Sequence, residues 1–223
     1  PVFTVGSQIG DALRTNMGMS KQEARERTIE MLQLVGIPSP NDRVDNYVHE
    51  FSGGMRQRVM LAMALSCDPT FLIADEPTTA LDVTIQAQIL ILLKDLQKEF
   101  NMAMVFITHD LGVVARIADR VAVMYLGKLC EVAGPDTLYA EAAHPYTDLL
   151  LGSVPKPDPT VEIDESLVDD GELPSPINPP SGCRFRTRCD RATDVCSAEE
   201  PKMRAVDDEH FVACHHPLVA VAG

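Results

Sequence analysis

Apolar positions along this chain switch between helical and strand-like spacing, and the switches mark out its elements. Behind Ser20 and Glu23, a pair spaced as a capping box, Ile29, Leu32 and Leu34 run on to Gly36 and Pro38, which stop the helix. Residues 1–50 as a whole read as helical. A second apolar-periodic run follows Ser52-Gly53-Gly54, with Val59, Met60, Met63 and Leu65 on its faces, and predicts a helix over 52–67. Phe71 to Asp75 is a short apolar run bounded by turn residues, the mark of a buried parallel strand. Ile85, Ile89, Leu92, Leu93 and Leu96 then predict a helix from about 83 to 99, and Ala103 to Ile107 a second buried strand. Strand, helix, strand is the crossover of a parallel sheet, so the fold class is α/β. Residues 120–134 read as a hairpin turning at Gly127, and Pro135 to Val154 as one or two short helices.

Composition adds the domain plan. A chain of 223 residues, 45% hydrophobic, can build one full core and an appendage. Residues 155–180 hold seven prolines, and residues 157–183 hold seven acids without Lys or Arg, which is the composition of a solvated spacer. The expected divisions are a helical subdomain over 1–66, an α/β core over 67–154, a linker over 155–180 and a Cys-rich extension over 181–223. The longest uninterrupted apolar run, Val59 to Leu65, has seven residues, against the roughly 18 or more of a spanning helix. Net charge is −14, with no basic stripe interleaved with aromatics, so nucleic acid is a poor partner. No signal peptide is evident, and Pro1 opens in the middle of what reads as a working domain, so a fragment is expected.

Two chemical devices sit close together between Glu50 and Asp82. Ser52 can cap its helix, and Gly53 and Gly54 let an anion approach the first-turn N–H groups, which suits phosphate. An ordinary capped helix is the plainer reading of Ser-Gly-Gly by itself. Asp75 and Glu76 end a strand, where ligands of open α/β folds sit. One acid can hold Mg²⁺ through water while the other orients or deprotonates an attacking water. A solvated acid pair is the plainer alternative for these two in isolation. Thr108-His109-Asp110 ends the second strand, so His109 is expected at the same sheet edge as the acids.

With Ala80-Leu81-Asp82 and Ile107-Thr108-His109-Asp110, this segment resembles the ATP-binding cassette (ABC) ATPases, motif by motif and in their order. The resemblance implies that Ser52-Gly53-Gly54 is the signature, Asp75 the Walker B aspartate, Glu76 the catalytic glutamate, Asp82 the D-loop acid and His109 the switch histidine. Phe51 and Met55 depart from the commonest Leu-Ser-Gly-Gly-Gln signature, and the Phe-Ser-Gly-Gly-Met form followed by Arg56-Gln57-Arg58 is similar to the oligopeptide and dipeptide importer branch. The implied fold is a partial P-loop NTPase with a helical subdomain and a small Cys-rich extension. The implied cofactors are ATP and Mg²⁺. Partners implied in the same way are a second ABC ATPase subunit, two membrane permease subunits and a periplasmic or extracellular solute-binding protein, at the cytoplasmic face of the inner or plasma membrane. The P-loop pattern G-x-x-x-x-G-K-[ST] occurs nowhere in the 223 residues; Gly127-Lys128 is followed by Leu129. PVFTVGSQI resembles the family sequence just after its Q-loop glutamine. The rival reading is a non-catalytic metal-binding or interaction piece, and the ATPase of a related importer such as one for nickel is a further alternative.

Cys183, Cys189, Cys196 and Cys214 are spaced C-x5-C-x6-C-x17-C. Four thiolates satisfy either tetrahedral zinc or an iron–sulfur cluster, and the absence of a short Cys-x2-4-Cys knuckle favours the larger cluster. Pro-Ser-Gly-Cys-x-Phe-x-x-Arg-Cys through Val212-Ala213-Cys214-His215, together with His144-Pro145-Tyr146-Thr147, resembles the extension of the oligopeptide and dipeptide ATPases, which in some members carries [4Fe–4S]. Zinc and unligated thiols remain as alternatives, and His210, His215 and His216 as spare ligands. Cys67 and Cys130 lie in apolar segments and read as small core residues.

Overall fold

The computed structural model describes residues 2–79, 81–154 and 174–221. Most of the expected linker therefore lies outside the described residues. The chain divides into two compact units, residues 1–109 and 110–223.

The first unit begins with three helical segments, α1 (Val5–Met17), α2 (Lys21–Leu34) and the single turn α3 (Pro40–Arg43). Thr4 caps α1, and Ser20 and Glu23 form the complete capping box of α2, so each helix starts where its first free N–H groups find a side-chain oxygen. The buried stripe of α2 is Ala24, Thr28, Met31 and Leu32 rather than one centred on Ile29 and Leu34, which are half-buried. Thr28 can take that place because its hydroxyl donates to the Ala24 carbonyl at 2.7 Å, leaving no polar atom unpaired. Ile9 and Leu13 of α1 are buried with Met31 and Leu32, and both helices pack on α4 (Gly53–Leu65), whose Leu65 is also fully buried.

After α4 come β1 (Phe71–Asp75), α5 (Val83–Glu99) and β2 (Ala103–Ile107), with the bounds that hydrophobic spacing predicts. The two strands pair in parallel, Phe71 with Ala103 through Asp75 with Ile107. Ile89, Leu93 and Leu96 give α5 its buried side. This register brings the residues after both strands to one carboxyl edge.

The second unit holds α6 (Leu111–Ile117), β3 (Val121–Tyr125), β4 (Lys128–Ala133), α7 (Pro135–Ala140), α8 (Pro145–Gly152), α9 (Asp194–Ala198), β5 (Arg204–Ala205) and β6 (Phe211–Val212). β3 and β4 form the expected hairpin, joined through Leu126 and Gly127, whose φ values of 45° and 77° are both left-handed. Two successive left-handed residues make the turn that matches strand twist, and Gly127 takes that conformation without a Cβ penalty. β6 then pairs antiparallel with β4, and the sheet order is β3-β4-β6-β5. The Cys-rich extension thus completes a sheet begun some 80 residues earlier, |i−j| = 79 between its facing residues Glu131 and His210.

Candidate functional site

The carboxyl edge of the β1–β2 pair carries the candidate site. Glu76 follows β1 directly, its N–H donates to the Ile107 carbonyl at 2.9 Å, and its φ is 44°. A glutamate in the left-handed region costs about 1–2 kcal/mol, and such departures cluster at functional positions. The turn sends the carboxylate across to the neighbouring strand end. Glu76 Oε1 lies 3.1 Å from His109 Nδ1, and Oε2 accepts a hydrogen bond from the Thr79 hydroxyl, also 3.1 Å. The His109 hydrogen bond, then that of Thr79, holds the Glu76 carboxyl below its usual range, so it is a carboxylate at neutral pH. Both side chains remain open to a ligand, Glu76 at 48% and His109 at 76% exposure. Asp75, one residue earlier, is exposed at the same edge.

Ser52 is the N-cap of α4, its hydroxyl accepting from Met55 N–H at 3.4 Å. The two glycines behind it have different surroundings. A Cβ on Gly53 would meet nothing within 4 Å, whereas one on Gly54 would lie 2.8 Å from Ile85 Cγ2 of α5. Gly53 is open to an approaching group, and Gly54 is small because α5 passes against it. Gln57 of α4 donates to the Pro77 carbonyl, tying α4 to the loop just after Glu76. Asp82 caps α5, accepting from Ile85 N–H at 2.9 Å. Thr79 and Gln57 are the site residues that sequence reading missed; a hydroxyl three residues after the glutamate is the one local signal it offered.

In the second unit, Cys183, Cys189, Cys196 and Cys214 line one cavity together with Phe185 and His215. Gly182 makes the approach of Cys183 to Cys196 feasible: its φ is 64°, and a Cβ there would lie 2.3 Å from the Cys196 carbonyl oxygen. The Cys183 N–H donates to that same carbonyl at 2.8 Å. Burial pushes the Cys214 thiol up to about 11, against a hydrogen bond from His216 N–H, and the other three cysteines add to the rise. Cys183 and Cys189 are raised as well, chiefly by burial. Yet among the described residues no three His, Cys, Asp or Glu side chains converge so as to hold a metal ion. The thiols share a cavity, and their geometry lends no support to the iron–sulfur or zinc ligand set expected of them. The spare histidines are engaged elsewhere: His210 Nε2 lies 2.7 Å from Glu131 Oε1, His215 Nε2 3.0 Å from the Glu199 carbonyl oxygen, and His216 Nε2 2.7 Å from Thr193 Oγ1. Cys130 is a buried core residue, packed with Tyr125 and Phe185.

A parallel strand pair thus brings two acids and a histidine to one edge, in the same α/β unit as a helix capped by Ser52. The model of the family "ABC transporter" matches residues 3–79, and that of "Oligopeptide/dipeptide transporter, C-terminal region" matches residues 130–196. The chain is 51% identical over 214 residues to the dipeptide transport ATP-binding protein DppD of Bacillus subtilis and, over the same length, 51% identical to its oligopeptide transport ATP-binding protein AppD. In both matches 96% of this chain aligns, spanning 63% and 65% of those relatives. A Brucella ovis protein named for peptide import is 47% identical, and the chain covers 67% of it. Among solved structures, cbiO1 from Clostridium perfringens, part of the ABC transporter complex cbiONQ, is 32% identical with a TM-score of 0.55, over 62% of this chain and 54% of that one. The chain belongs to the ABC transporter ATP-binding proteins, in their oligopeptide and dipeptide group.

Proposed function

We propose that this chain supplies the catalytic edge and the signature helix of an ATPase that energises peptide import. The single observation that carries the reading is the Glu76 carboxylate held 3.1 Å from His109 at the end of a parallel strand pair. ATP is the substrate. Glu76, kept ionised, takes a proton from the attacking water, and His109 stands beside it where an imidazole reaches the terminal phosphate. Asp75 is the residue that would hold Mg²⁺, through water. The ion would neutralise charge developing on the phosphates.

Ser52 and Gly53 offer their helix N-terminus to the phosphate of a nucleotide bound on a second ATPase subunit, and Asp82, the cap of α5, takes the D-loop position. The names of the Bacillus relatives support peptide as the transported solute. Two membrane permease subunits and a solute-binding protein complete the assembly in this reading. In this reading the chain sits peripherally at the cytoplasmic membrane face, as the importer relatives' ATP-binding role implies.

The test is ATP hydrolysis by a hybrid of DppD in which this chain replaces the span that it matches. Glu76→Gln should leave nucleotide binding intact and slow turnover about 10²–10⁴-fold. Turnover within a factor of a few of the unmodified protein would remove Glu76 from the role of base.

A further inference from the structure

Glu76 stands in a backbone conformation that its neighbours have to hold. Its φ of 44° is left-handed, and a glutamate keeps such an angle only where the surrounding structure fixes it from several sides. From β2 the constraint is the Ile107 carbonyl, which accepts the Glu76 N–H at 2.9 Å. Within the turn, the Thr79 N–H donates to the Glu76 carbonyl at 3.2 Å, and the Thr79 hydroxyl donates to the carboxylate at 3.1 Å. The next peptide is held from outside the loop, by the Gln57 side-chain amide, which donates to the Pro77 carbonyl across 20 residues of sequence. Pro77 and Thr78 are buried, whereas Glu76 and Thr79 are exposed. The loop is pinned at its inner residues and open where the carboxylate lies.

We infer that Gln57 is a positioning residue for hydrolysis: by fastening the Pro77 peptide to α4 it sets the Glu76 turn, and with it the 3.1 Å approach of the carboxylate to His109. The helix is a firm post for that purpose. Val59, Leu61, Ala62 and Leu65 are buried, and Arg58, next to Gln57, donates to the Val35 carbonyl at 2.6 Å. Gly54, without a Cβ, lets Ile85 of α5 come against the same helix. Asp82 caps α5 where the loop ends, so the stretch from Pro77 to Asp82 is held by α4 at its start and by α5 at its finish. Gln57 is half-buried, which shields its bond to Pro77 in part from water. Its side chain meets the loop behind the carboxylate, so its loss bears on how Glu76 is aimed.

The inference rests on the reading of Glu76 as the base, and the two fail separately: Glu76→Gln alone tests the base, while a Glu76→Gln protein that is slow and a Gln57→Met protein that is not would sink this inference only. Steady-state ATP hydrolysis is measured in the hybrid with DppD. Gln57→Met keeps the length of the side chain but has no donor, and it should lower kcat about 10–10²-fold with KM for ATP unchanged. Gln57→Lys, which restores a donor of similar reach, should recover most of the turnover. In a hybrid that already carries Glu76→Gln, Gln57→Met should lower the residual turnover no further, because a positioning residue has nothing left to aim. Circular dichroism and thermal unfolding should match the unmodified hybrid in both Gln57 variants. Full turnover in Gln57→Met, an equal loss in Gln57→Lys, a rise in KM in place of the fall in kcat, or a full further loss on top of Glu76→Gln would each overturn it.

Discussion

His210 Nε2 lies 2.7 Å from Glu131 Oε1 across 79 residues of sequence, and both side chains are almost completely buried, 2% and 0% exposed. The same carboxylate accepts the N–H of Ala143 at 2.7 Å on Oε1 and that of His144 at 2.9 Å on Oε2. One glutamate thus joins the hairpin, the start of α8 and the end of the extension. A buried carboxylate is tolerable only with such a set of donors.

Removing either partner should therefore loosen the whole second unit. Glu131→Gln keeps one acceptor but turns an NH₂ toward a backbone N–H, and His210→Ala leaves the carboxylate short of a donor. Each should cost about 2–5 kcal/mol. Urea unfolding followed by tyrosine fluorescence reads this unit well, since Tyr125, Tyr139 and Tyr146 all lie in it. The double variant should lose less than the sum of the two singles; strict additivity would mean that the pair does not act as one.

Stability should also fall with acid through His144. Burial depresses its imidazole from 6.5 to about 4, against the pull of Glu131, and its Nδ1 accepts the Tyr146 N–H at 3.0 Å. The unfolded chain binds the proton first as pH drops, so stability is intact above about 6.5 and is lost progressively down to about 4. The loss over that window is about 2–4 kcal/mol. His144→Asn, which still caps α8 but does not titrate there, should flatten this part of the pH profile; an unchanged slope would assign it to another group.

The two signature glycines should separate by experiment. Gly54→Ala drives a methyl into Ile85, 2.8 Å away, and should cost about 1–3 kcal/mol of stability. Gly53→Ala meets no atom and replaces glycine by a better helix former, so thermal unfolding should show no loss. Equal losses at both positions would contradict the division of roles.

Ser52→Arg places a bulky side chain where a partner's phosphate would approach. In the hybrid with DppD carrying Glu76→Gln to halt hydrolysis, nucleotide binding should persist while ATP-driven pairing of subunits is lost on gel filtration. Normal pairing would show that the signature does not act across subunits.

Local signals were enough for β1, α5 and β2, because strand and helix differ in apolar period. They were enough for the capping box of α2 as well, since Ser20 and Glu23 act within one turn. The placing of Glu76 beside His109 followed from strand order, because parallel strands deliver their ends to one edge whatever their side chains. Other relationships are long-range, and no periodicity encodes them. Glu131 reads in sequence as an acid interrupting an apolar strand, and His210 as a spare ligand; only pairing of β6 with β4 buries them together. That a side chain on Gly54 would meet Ile85 is set by α5 folding back against α4. The four cysteines are spaced as a ligand set, yet whether thiols converge depends on how Gly182, Phe185 and α9 pack around their cavity. Sequence determines the elements through interactions within a few residues, and tertiary structure alone decides which buried polar groups meet, because an unpaired carboxylate or imidazole takes whichever partner the completed sheet brings within 3 Å.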